Sequence, residues 1–188
     1  MDITESHINI IKEQFNEMHS LEDLLSLLNL INSFLYGNKA RPIQIKSLTY
    51  YSSPRKVTDS SKEFKIPKKS GGFRTIHAPK GGLKSIQRSI AILLQSLFEP
   101  HPAATGFVDN KSIVDNARAH VDKEFVFNID LKDFFPSIDK PRFWKRIQYS
   151  PFNLNKRNRQ NRIGKSYCRY LFYKFRSGTK TKWAVDKG

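Results

Sequence analysis

Ile8, Ile11, Phe15 and Met18 recur at spacings of three, four and three, and Leu24, Leu27, Leu28, Ile31, Phe34 and Leu35 repeat the pattern. That is the period of one apolar face on each of two amphipathic helices within the first 35 residues. Ser20, with Asp23 three residues on, has capping spacing for the second helix, and Gly37 stands where that helix should end. Both stripes are read as the core-facing sides of a small helical region rather than as membrane or partner helices. Residues 38–62 mix Pro, Ser and charge around one short apolar run and are read mostly as a connector.

Alternation then takes over. Phe64–Pro67 and Phe73–Ile76 alternate as strands do and flank Lys-Lys-Ser-Gly-Gly, which predicts a β-hairpin with a basic, glycine-bearing tip. Beyond Pro79, Gly81 and Gly82, the apolar residues Leu83, Ile86, Ile90, Leu93, Leu94 and Leu97 mark one face of a helix running to Phe98, while Lys84, Gln87, Arg88 and Gln95 fall elsewhere. The run Glu99-Pro100-His101-Pro102 ends it. Ser112–Val121 is predicted as a short helix with Ile113, Ala117 and Val121 on one side. Phe125–Leu131 reads as the clearest strand, with Phe125, Phe127, Ile129 and Leu131 on one face and Val126, Asn128 and Asp130 on the other. After it, Asp-Phe-Phe-Pro-Ser-Ile-Asp-Lys-Pro is turn chemistry. Asp139 and Pro141 then have the placement of an N-cap and a first-turn proline for a helix carrying Phe143, Trp144 and Ile147.

Composition narrows the class. A chain of 188 residues with 38% apolar, 27% charged and 12% aromatic residues is neither collagen-like nor wholly disordered. Cys168 is the one cysteine, so neither an internal disulfide nor a cysteine-based zinc site is expected. No apolar run of about 18 residues occurs, and acids stand near the N-terminus where a signal peptide carries bases, so a cytoplasmic protein with no membrane partner is expected. The formal charge of +16 attracts polyanions and makes nucleic acid the leading partner. Residues 156–188 hold eleven bases against one acid, Asp186, and are compositionally distinct from what precedes them.

Charge placement suggests where chemistry would sit. An ionised carboxylate beside apolar residues needs a cation or donors to meet it. Asp130, at the end of an apolar strand, is therefore open to two readings: a metal ligand or a partly exposed strand-end acid. Asp133 comes near the same site only if the chain turns after Leu131, and it is read as a turn acid or cap in preference to a direct ligand. Lys68, Lys69 and Arg74 on the hairpin suit a triphosphate, through point charges and a bidentate guanidinium, or nucleic-acid backbone, or plain solvation. His77, His101 and His120 have no metal-ligand spacing, and Gly164-Lys165-Ser166 lacks the earlier glycine of a phosphate-binding loop.

Four blocks in one order carry a resemblance: Ile-Pro-Lys-Lys-Ser-Gly-Gly-Phe-Arg-Thr-Ile-His-Ala-Pro from Ile66, Leu-Lys-Ser-Ile-Gln-Arg-Ser-Ile from Leu83, a Gly106-Phe107 and Ser112–Ala117 block, and Phe-Val-Phe-Asn-Ile-Asp-Leu-Lys-Asp-Phe-Phe-Pro-Ser-Ile from Phe125. From about Phe64 to Leu154 the chain resembles the N-terminal half of bacterial reverse transcriptases of the retron and group II intron type. The resemblance implies RNA-templated DNA synthesis by two-metal nucleotidyl transfer, with Mg2+, dNTPs, an RNA template, an RNA/DNA primer and a cognate structured non-coding RNA. By resemblance, Arg74 and one of Lys68 or Lys69 contact the nucleotide's phosphates, and Gly106, Phe107, Ser112 and Asn116 contact template. Asp130 is the catalytic acid and holds both magnesium ions, one of which the Leu131 backbone carbonyl also meets. The amides around Asp133 and Phe134 meet the triphosphate, and Phe135 lies under the sugar and excludes a 2′-hydroxyl.

The family's later Leu-Pro-Gln-Gly-like segment and Tyr-x-Asp-Asp hairpin do not occur, and after Asp139 the sequence holds one acid, Asp186. The expectation is an α+β chain: a helical region and connector over 1–62, fingers and the first part of a right-hand polymerase palm over 63–155, and a basic tail over 156–188. Such a chain, truncated within the palm, is not expected to polymerise alone. The alternative is a non-catalytic RNA-binding protein. The tail is open to two readings, an RNA-binding arm with interleaved aromatics or the product of a shifted reading frame, with the second preferred.

Overall fold

The computed structural model describes residues 3–52, 61–68, 71–131 and 134–154; the side chains of Ser52, Arg74, His77, Phe135, Pro136 and Lys140 fall outside that description. Helices α1 (Glu5–Glu17) and α2 (Leu21–Tyr36) form where the apolar stripes place them. Ser20 Oγ accepts the Asp23 amide at 3.0 Å, and Asp23 Oδ2 accepts the amides of His19 at 2.8 Å and Ser20 at 2.7 Å. Donors that the start of a helix leaves without intrahelical partners are thereby satisfied. At the far end Gly37 has φ +53°, in the left-handed region glycine enters without a Cβ penalty.

The amide of His19, then the hydroxyl and amide of Ser20, hold the Asp23 carboxyl below its ordinary pKa. A depressed folded pKa means stabilisation that is present above the unfolded value and lost as pH falls through the folded one. Asp23→Asn is therefore expected to narrow the gap in melting temperature between neutral and strongly acidic solution, followed by circular dichroism. An unchanged gap would remove Asp23 from the acid response.

The connector predicted over 38–62 requires correction: α3 (Ile45–Ser52) lies inside it, and Ser61 and Lys62 already belong to β1 (Ser61–Pro67). Eight residues give periodicity little room to register, and among its described side chains Leu48 alone is fully buried. The approach to α3 is fixed by two asparagines of α2. Asn29 Oδ1 accepts the Ile43 amide at 2.6 Å and Asn29 Nδ2 donates to the Ile43 carbonyl at 3.0 Å, while Asn32 Nδ2 donates to the Arg41 carbonyl at 2.8 Å.

Strand β1 pairs antiparallel with β2 (Phe73–Pro79), in a register running from Ser61 opposite Pro79 to Pro67 opposite Phe73. At the tip the Lys68 amide donates to the Gly72 carbonyl at 3.0 Å and the Gly71 amide to the Lys68 carbonyl at 3.1 Å. Gly71 and Gly72 take φ of +86° and +79°, which explains why glycines close the turn. Helix α4 (Gly81–Leu97) follows directly. Its start is crowded: a Cβ at Gly82 would meet the Tyr51 hydroxyl at 2.8 Å.

One core joins these parts. Ile11 and Phe15 of α1, Leu24, Leu27, Leu28 and Ile31 of α2, Leu48 of α3, and Ile86, Ile90 and Leu93 of α4 are buried together. Further along the chain come α5 (Ile113–Arg118) and the four-residue α6 (Phe134–Ser137). Helix α7 (Lys140–Ile147), capped by Asp139 with Pro141 in its first turn as predicted, then closes the core with Ile147, Phe152 and Leu154. Arg146 lies over the rings of Phe98 and Phe152, at 5.9 and 5.5 Å from their centroids, and donates to the Ser150 carbonyl at 2.6 Å.

The predicted strand over Phe125–Leu131 does not form. Among the described residues the hairpin is the entire sheet, and residues 125–131 have no ladder partner. Phe125 and Phe127 are 85% and 87% exposed, and Ile129, Leu131 and Asp130 are exposed with them. Alternation expresses a fit to a half-buried pleated surface, and here no second surface is present among the described residues to bury the row. Helices with one small antiparallel sheet are compatible with an α+β chain. Among the described residues no helix is long and apolar enough to cross a membrane.

Candidate nucleotide and nucleic-acid interface

The residues singled out by sequence fall on three segments, each held by its own local hydrogen bonds. Lys68 stands exposed at the hairpin tip, and Arg74 sits on β2 opposite Ile66. The hairpin's other tip lysine, Lys69, lies outside the described residues, as do Asp133 and the side chains of Arg74 and Phe135. What is described is a glycine-closed turn that presents Lys68 to solvent, where an ammonium meets a phosphate as a point charge.

The second segment runs from Gly106 through α5. Gly106 and Phe107 form a turn in which Phe107 has φ +60°, a conformation rare for a bulky residue and indicative of a constrained loop. Ser112 caps α5: its hydroxyl and amide both donate to Asp115 Oδ2, at 2.6 and 2.7 Å, and its Oγ accepts the Asp115 amide at 3.3 Å. These bonds from Ser112 hold the Asp115 carboxyl below its ordinary pKa. The Ser112 hydroxyl thus positions the helix that carries Asn116, which is exposed. Asp115 is absent from the residues that sequence reasoning singles out, although the Ser-x-x-Asp spacing that marks Ser20 and Asp23 recurs here and would have found it. The helix is shorter than predicted: it stops at Arg118, and Asp122 takes φ +56°.

The third segment holds Asp130 and Leu131. The Leu131 carbonyl accepts the Phe134 amide at 3.3 Å, and the two residues between them, Asp133 among them, lie outside the described ones. Helix α6 follows, with Ser137 Oγ donating to the Phe134 carbonyl at 2.6 Å. The Asp130 carboxylate and the Leu131 carbonyl are hard oxygen donors of the kind magnesium takes. Their number falls short: among the described residues no three His, Cys, Asp or Glu side chains gather where an ion could sit. The described residues therefore do not build a two-ion centre by themselves.

Comparison with known proteins places about half of this chain beside one group. It is 43% identical over 98 residues to the retron Mx65 reverse transcriptase of Myxococcus xanthus, covering 51% of this chain and 23% of that protein. It is 37% identical over 112 residues to the retron Mx162 reverse transcriptase of the same organism, covering 58% and 22% respectively. Against the retron Ec83 reverse transcriptase of Escherichia coli it is 34% identical over 107 residues, covering 57% and 34%. The matched stretch thus spans between about a fifth and a third of the length of these curated relatives. No family model matches the chain, and no solved structure does. The resemblance to retron reverse transcriptases is borne out as a partial one.

Proposed function

We propose that this chain carries the fingers and the first palm motif of a retron-type reverse transcriptase, an RNA-directed DNA polymerase. One observation carries the reading: the four sequence blocks occur in a single order within a chain that matches several retron reverse transcriptases at 34–43% identity. In this reading Lys68 or Lys69, with Arg74, grips the phosphates of a dNTP. Gly106, Phe107, Ser112 and Asn116 border the RNA template, and Phe135 lies under the sugar, selecting against a 2′-hydroxyl. Asp130 and the Leu131 carbonyl would hold magnesium, and the amides around Asp133 and Phe134 would meet the triphosphate. Magnesium, when bound in such an enzyme, activates the primer hydroxyl and neutralises the leaving pyrophosphate. A cognate structured RNA and an RNA/DNA primer complete the proposed partners.

Asp130 is one carboxylate, and the ion pair of this chemistry needs more. The 188-residue chain on its own is therefore expected to give no extension of an RNA-templated primer in magnesium and dNTPs. Extension that Asp130→Ala abolishes would overturn that part of the proposal.

The charge of +16 favours a second reading, a non-catalytic RNA-binding protein derived from the same family. It expects salt-sensitive RNA binding that Asp130→Ala leaves unchanged and that removal of residues 156–188 weakens strongly. Undiminished affinity after that removal would count against it.

A further inference from the structure

A cleft of about 570 Å³ opens between α2, the segment that follows it and the start of α4. Lys39 and Arg41 line one side and Lys84 and Arg88 the other; all four are exposed, and no acid is among the described residues that line it. Four cations around one concavity repel one another, and a polyanion relieves that repulsion.

The walls are firm. On α4, Gly81, Lys84, Ser85 and Arg88 fall on one helix face. Opposite them, the backbone at Arg41 is tied to α2 by Asn32, which is 1% exposed and also accepts the Ser85 hydroxyl at 2.8 Å. One buried amide thus joins both walls. The N-terminus of α4 adds to the positive field, since Lys80 supplies no side-chain cap and the first turn holds no acid.

Size and lining select among anions. From Gly81 to Arg88 the helix advances about 10 Å at about 1.5 Å per residue. One nucleic-acid strand places a phosphate about every 3.4 Å along a duplex axis, so the cationic wall spans several phosphates. Tyr36 borders the same cleft and remains partly exposed, which suits a base stacked beside a backbone held by cations. We propose that this cleft binds the backbone phosphates of single-stranded nucleic acid, with a base against Tyr36. It uses neither Asp130 nor the hairpin tip, so it stands whether or not the polymerase reading does.

The test is fluorescence anisotropy of a labelled single-stranded RNA oligonucleotide on the full 188-residue chain. Arg41→Glu with Arg88→Glu is compared with Lys12→Glu and Lys123→Glu, an equal charge change at exposed positions outside the cleft. The cleft pair is expected to weaken binding at least tenfold more than the control pair. It should also flatten the dependence of log affinity on log salt by about 1.4, at about 0.7 for each phosphate no longer neutralised. Tyr36→Ala is expected to weaken binding at least about fivefold. Gly81→Glu guards against unfolding: a Cβ there meets nothing within 4 Å, and an acid in the first turn favours the helix, so affinity should fall while the melting temperature does not. Equal losses in the two charge-reversed pairs would reduce the effect to diffuse charge and overturn the proposal. A silent Tyr36→Ala, with inorganic triphosphate displacing the RNA at matched ionic strength, would make the cleft a small-anion site and overturn it too.

Discussion

Ile90→Ala is expected to destabilise the chain by about 2–5 kcal/mol, read as a lowered denaturant midpoint with an unchanged slope. Ile90 is fully buried on α4, within the core that α1, α2, α3 and α7 share. Truncating it removes apolar transfer free energy and leaves a cavity that close-packed neighbours fill only in part. Phe127→Ala deletes a larger side chain, yet Phe127 is 87% exposed and its loss is expected to change stability by no more than about 0.5 kcal/mol. The order of the two effects is what matters, because hydrophobicity alone ranks the phenylalanine first. A Phe127→Ala loss as large as that of Ile90→Ala would mean that residues 125–131 are packed against a surface in solution, and the absence of a strand there would be wrong.

That contrast also explains what the sequence could convey. Helices were legible because both their period and their caps are local. Ser20 with Asp23, and Asp139 with Pro141, each fix a helix start within four residues, and the bonds they make are those expected of them. A strand is different, since its stability lies in a partner that the segment itself does not encode. Phe125–Leu131 alternates cleanly, but among the described residues no strand lies beside it. The hairpin escaped this difficulty because its partner is only five residues away across a glycine turn. Helix α3 was hidden because it is only eight residues long and its support is long-range, with Leu48 in the common core and Tyr51 against Gly82.

The candidate site divides along the same line. The glycine-closed hairpin was readable from its residue types and is present, whereas the stretch from Asp133 read as turn chemistry holds helix α6 over Phe134–Ser137. The cationic cleft was not readable. Its bases lie at 39, 41, 84 and 88, in two stretches that the folding of α4 against α2 brings to face each other. Lys84 and Arg88 do show the i, i+4 spacing of one helix face, but that alone describes a solvated surface as well as a binding wall.

Grafting supplies the sharpest test of Asp130. On the proposed reading, residues 63–154 exchanged for the matching stretch of a retron reverse transcriptase should give a chimera that extends a primer on RNA. The host then provides the remaining carboxylates, while this chain provides Lys68, Arg74 and Asp130. Asp130→Ala in that chimera is expected to lower the extension rate by roughly a thousandfold or more, the equivalent of losing several kcal/mol of stabilisation of the charge that develops at the phosphoryl group. Asp139→Ala serves as the comparison: that carboxylate accepts the Arg142 amide at 2.8 Å as a helix cap, so its loss should lower the melting temperature without a thousandfold loss of rate. A KM for dNTP that rises on replacing Lys68, with kcat preserved, would further assign the tip to binding. If the chimera folds and binds RNA but Asp130→Ala extends as well as its parent, the acid has no catalytic part, and exposure at the end of an apolar run is the whole of its chemistry.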